Sequence, residues 1–134
     1  MAQSMLLVLD MINDLVHADG PNGGPKGYGP ELARRGTLGH AATAVAKARA
    51  AAVPVGYVRV GFSPGYPECP PRSPMVQVAK KAGLFKPGTW GTEVHPDLTP
   101  LPGDAGIVQH RVSPFYATSL AALLRARDVR QLIL

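Results

Sequence analysis

The chain has 134 residues, 46% of them apolar, enough for a real core in one domain spanning residues 1–134. Its net charge of +5 is spread over sites such as Arg34-Arg35, Lys80-Lys81, Arg125, Arg127 and Arg130. It lacks the clustering and interleaved aromatics of a nucleic-acid surface, so no nucleic-acid partner is expected. No apolar run nears the ~20 residues that cross a membrane, and a single cysteine with no leader-like start points to the cytoplasm.

Met5-Leu6-Leu7-Val8-Leu9 is five consecutive apolar residues ending at Asp10. Such a run fits a strand buried on both faces of a parallel sheet. The first polar residue after it sits at the carboxyl edge, where ligands of open α/β sheets bind, so Asp10 is the first candidate for chemistry. Residues 17–36 carry Gly20, Pro21, Gly23, Gly24, Pro25, Gly27, Gly29 and Pro30. That density argues against any helix or central strand and suggests a lid or a surface insertion.

A helix is expected from about Thr37 to Ala52, with Leu38, Ala41, Ala42, Val45, Ala48 and Ala52 on one stripe. Val53-Pro54 ends it, and Val55–Val60 reads as the second strand of a right-handed βαβ unit. Residues 61–103 are irregular apart from a short helix at Pro74–Lys81. Trp90, in a turn at Pro87–Thr92, is either a substrate wall or a plug for the core, the latter favoured. Ala105–Arg111 reads as a third strand. A helix follows from Thr118 or Ser119 to Ala126, and Val129–Leu134 opens a fourth strand whose apolar edge needs a cover.

Four blocks, in order, resemble the isochorismatase-like cysteine hydrolases: Leu6–Val16, Val53–Arg59, Gly88–Leu98 and Gln109–Leu120. The resemblance implies a three-layer α/β/α sandwich around a mainly parallel, Rossmann-like sheet, here incomplete at the C-terminus and covering the N-terminal two-thirds of the usual domain. It implies hydrolysis of a C–N amide-type bond in a small-molecule substrate by a homo-oligomer, with no cofactor. The family's usual catalytic set is Asp, Lys and Cys. A thiolate attacks the carbonyl, and a nearby carboxylate takes the thiol proton and returns it to the leaving amine.

Asp10 matches the family acid/base. Gln109 stands where the lysine is expected; it can orient Asp10 by a hydrogen bond but brings no charge. Asn13, Leu15, Trp90, Arg111 and Phe115 are the candidate substrate-binding residues, and the 17–36 loop is a candidate wall. Strand alternation would put Arg111 on the Gln109 face and His110 on the other, making Arg111 the better substitute cation. The nucleophilic cysteine is expected beyond Leu134, because Cys69 in Glu68-Cys69-Pro70-Pro71 lacks an activating environment. No metal is expected, since His17, His40, His95 and His110 lack ligand spacing. Two alternatives stay open: a non-catalytic binding or assembly domain, and a cysteine-free vinyl-ether hydrolase.

Overall fold

Strand β1 (Gln3–Leu9) lies inside a four-stranded sheet of order β3-β2-β1-β4, with β2 at Val55–Val60, β3 at Ala105–Gln109 and β4 at Val129–Ile133. This computed structural model describes residues 3–134. Every strand pair is parallel, with Val8 opposite Tyr57 and Val60 opposite Gln109. Alternation along β1 feeds two cores. Leu6 and Val8 pack with Val45 and Ala48 of helix α3 (Thr37–Ala50) on one face. Met5 and Leu7 pack with Leu120 and Leu124 of helix α5 (Leu120–Ala126) on the other. The sheet is thus covered on both sides, as a β1 without polar side chains in its middle requires.

The chain runs β1 to β2 to β3 in one direction, then returns to place β4 on the far side of β1. Reversals of this kind open a crevice beside the carboxyl ends of the central strands. Asp10 stands at that end of β1, with φ +57° and its N–H still bonded to the Val58 carbonyl (2.9 Å). The left-handed conformation, which aspartate tolerates better than most residues, turns the chain out of the sheet at once.

The glycine- and proline-rich segment holds a helix after all. Short helix α1 (Asn13–Val16) precedes it, and α2 spans Gly29–Arg35 within it. Pro30 sits in the first turn of α2, where no backbone donor is needed, so proline there favours the helix instead of breaking it. Glu31 pairs with Arg34 (2.7 Å) and with Arg35 one turn on. Gly36 closes α2 and starts α3 at φ +58°, with room beside it but a backbone angle that side chains resist. Gly36→Ala is therefore expected to cost about 1 kcal/mol. A urea midpoint equal to wild type would show that this junction does not depend on the left-handed angle.

Helix α4 (Pro74–Ala82) forms where expected, and its Val76 packs with Phe62, Tyr66 and Cys69 in a third cluster. Two other expectations are corrected. Trp90 is 45% exposed in a 3-10 turn at Trp90–Thr92, its ring edge against His17 (5.0 Å), and plugs no core. Strand β3 ends at Gln109 rather than Arg111, which redirects the two residues after it. Among the described residues no helix is long and apolar enough to cross a membrane.

Candidate active site

Three strand ends build the site. Asp10 follows β1, Val60 ends β2 and Gln109 ends β3, and all three line a cavity of about 500 Å³. Gln109 is 3% exposed, and its Nε2 donates to both carboxylate oxygens of Asp10, at 2.9 and 3.0 Å. An ionised carboxylate only accepts, so the glutamine must turn its nitrogen toward Asp10. Its Oε1 is then buried without a donor. An orphaned acceptor costs about 1–3 kcal/mol, and a lysine, which has only donors, would leave none.

Burial pushes the Asp10 carboxyl above its ordinary value of 3.8, while the Gln109 hydrogen bond and a backbone bond from Val60 hold it back. No cation lies within 4 Å of it among the described residues. Arg111, the expected substitute for the missing lysine, does not pair with Asp10. Its Nη1 donates instead to the Glu68 and His110 carbonyls, both at 2.7 Å. His110 does not point away from the site as alternation suggests. Both His110 and Arg111 line the cavity, because the pleat stops at Gln109. The His110 Nδ1 lies 2.5 Å from the Gly61 carbonyl, an acceptor, so that nitrogen carries the proton.

Of the remaining candidates, Leu15 lines the cavity. Asn13 does not: it is 1% exposed and its Nδ2 holds the Trp90 carbonyl at 2.9 Å, tying α1 to the turn that follows α4. Trp90 and Phe115 are also outside the lining, both with exposed rings. The glycine-rich segment does supply part of the wall, through Asn22 and Tyr28. Phe62 and Phe85 complete the apolar side. Sequence reasoning misses these two because they sit in irregular segments with no periodicity to place them.

Cys69 is 9% exposed among apolar neighbours, and burial raises its thiol above the ordinary value. That is the environment of an inert cysteine. No group of three or more His, Cys, Asp or Glu side chains that could hold a metal occurs among the described residues.

A family model described as "Isochorismatase domain" matches residues 4–134. The ureidoacrylate amidohydrolase RutB of Methylobacterium radiotolerans is 33% identical over 98% of this chain and 55% of its own length. Among solved structures, N-carbamoylsarcosine amidase from Thermoplasma acidophilum shares 27% identity at a TM-score of 0.72, covering 97% of this chain and 65% of its own. An isochorismatase family protein from Desulfovibrio vulgaris shares 28% at a TM-score of 0.79, covering 98% and 65%. The chain spans about half the length of the curated relatives it matches.

Proposed function

From the premise that this chain belongs to the isochorismatase family, we propose that the natural protein hydrolyses an amide-type C–N bond of a small molecule, with Asp10 as general acid/base. The observation that carries this reading is the partly buried Asp10 carboxylate, gripped by Gln109 on the floor of a cavity of substrate size. A carboxylate that burial makes more basic than a free one is a better proton acceptor, and its acid form can return the proton. Asp10 takes the proton of an attacking thiol, the C–N bond breaks, and Asp10 hands that proton to the leaving nitrogen. Water then attacks the thioester, Asp10 removing its proton, and the free acid and thiol are released.

The buried Cys69 does not suit the thiol's role, and the expectation of a cysteine beyond Leu134 stands as part of the proposal. Gln109 is the orienter of Asp10, and Leu15 and Arg111 are walls of the substrate cavity. Asn13, Trp90 and Phe115 lie away from the cavity, so the proposal gives them no contact with substrate. A cytoplasmic homo-oligomer belongs to the same proposal.

Ammonia release from a panel of ureido acids and simple amides tests the activity, using the natural protein. One observation favours the alternative of a non-catalytic domain: the uncharged Gln109 in the lysine's place. Failure to release ammonia from any member of the panel, by protein shown to be folded, would decide for that alternative.

Gln109→Lys tests the role of the pair. An ammonium beside a carboxylate favours its ionised form, so the acid limb of the kcat/KM profile is expected to move about 1–3 pH units lower. An unmoved limb would show that Asp10 is not the group titrating there.

A further inference from the structure

Resting on the hydrolase reading above, we infer that Arg111 is a carboxylate receptor, so that the substrate is an amide bearing its own carboxylate. The cavity that holds Asp10 is otherwise mostly apolar, walled by side chains such as Leu15, Phe62, Val76 and Phe85. Arg111 is half-buried at this space, where its free donors can meet an anionic guest. No carboxylate of the described residues lies within 4 Å of the Arg111 guanidinium.

The group is held in place without being neutralised. Its Nη1 spends both hydrogens on the Glu68 and His110 carbonyls, each at 2.7 Å. The guanidinium carbon lies 5.7 Å from the centre of the Tyr116 ring, which supports the cation without cancelling its charge. Nε and Nη2 make no hydrogen bond to the described residues. Those two donors form the side of the guanidinium fork that matches a carboxylate in bidentate fashion.

The neighbouring titratable groups do not compete for the guest. The proton on His110 Nδ1 is spent on Gly61, and Nε2 faces Glu68 Oε1 at 4.0 Å, so any charge on the ring has its own counter-ion. Glu68 is itself bound by the Ser63 hydroxyl and Ser63 N–H. Among the described lining residues Arg111 is thus the cation left without an acid, and Asp10 is the lone carboxylate. The two are set at separate points, Asp10 under Gln109 and Arg111 two residues further along the chain, at most about 7 Å from Gln109 between α-carbons. A short molecule with an amide at one end and a carboxylate at the other offers a partner to each of these two groups of the one cavity.

The test compares succinamate with its methyl ester, which differ in charge and little in shape, as substrates of the natural protein. Succinamate is expected to have the higher kcat/KM by about tenfold or more, the worth of one charge-assisted hydrogen bond. The preference should vanish in Arg111→Gln and return in part in Arg111→Lys, chiefly through KM. Equal rates on acid and ester, or a preference that survives Arg111→Gln, would overturn the receptor while leaving the hydrolase standing. Should neither amide turn over, the hydrolase reading is the one in trouble, and calorimetric titration of succinamate decides separately. In an Asp10→Asn background, binding at least tenfold weaker with Arg111→Gln added supports the receptor, and equal binding overturns it.

Discussion

In the natural protein, Asp10→Asn is expected to lower kcat/KM for amide hydrolysis by roughly 10²–10⁴-fold, the range for loss of a general acid–base group. The substitution is nearly isosteric, and the site can absorb it. Gln109 has an acceptor, Oε1, buried with no donor. With a small rotation of that amide, the nitrogen introduced by Asp10→Asn donates to Oε1. The Gln109 nitrogen still donates to the one side-chain oxygen that the substitution leaves in place. The loss is then one of proton chemistry and not of structure. Equal ammonia release by wild type and variant would remove Asp10 from the mechanism.

The same substitution has a stability signature with a fixed sign. Burial holds the folded Asp10 carboxyl above 3.8, so on raising the pH the unfolded chain gives up its proton first. Stability falls wherever the folded state binds more protons. Across the interval from 3.8 up to the raised folded value, wild type should therefore lose stability relative to Asp10→Asn. Below that interval the carboxyl is protonated in both states and the difference levels off. Denaturant midpoints measured from acid to neutral pH read this directly. A difference of the opposite sign would mean that the fold stabilises the Asp10 anion, with Gln109 outweighing burial.

Why Asp10 stands out in the sequence, while His110 is misplaced by it, has one physical origin. Asp10 closes a run of buried strand, and parallel pairing brings it to the same edge as Gln109, which the alternation of β3 buries and which only the family resemblance singles out in the sequence. Strand β2 is readable to its ends because Pro54 and Gly61 bracket a segment rich in valine and tyrosine, Val55, Tyr57, Val58 and Val60. Periodicity says nothing once the pleat stops, and β3 stops one residue before His110. Helix α2 is hidden for the opposite reason. Its proline and glycine count suggests a loop, yet Pro30 lies in the first turn and Gly36 at the cap, the two places where those residues favour a helix. Trp90 illustrates a third gap. Composition cannot tell a ring that fills a core from one that leans on a neighbouring imidazole at the surface.

Phe62→Ala is expected to cost about 3–5 kcal/mol, a large share of the stability of a domain this size. Phe62 is 1% exposed and belongs to both the third core cluster and the cavity wall. Its ring meets those of Tyr66, Phe85 and His110 at 5.8, 6.4 and 6.0 Å between centres. Its N–H donates to the Phe85 carbonyl (2.9 Å), and the Tyr66 hydroxyl donates to the Leu84 carbonyl (2.6 Å). These contacts bind the irregular segment after β2 to residues 83–89 after α4, which lie in no strand or helix. Truncation removes the shared ring and opens the void into the neighbouring cavity, so water enters one flank and the apolar contacts are lost outright. Phe62→Leu keeps much of the volume and should cost less, with the cavity mouth preserved. Guanidinium denaturation of both variants orders them, and a loss below about 1 kcal/mol for Phe62→Ala would show that the wall stands without its central ring.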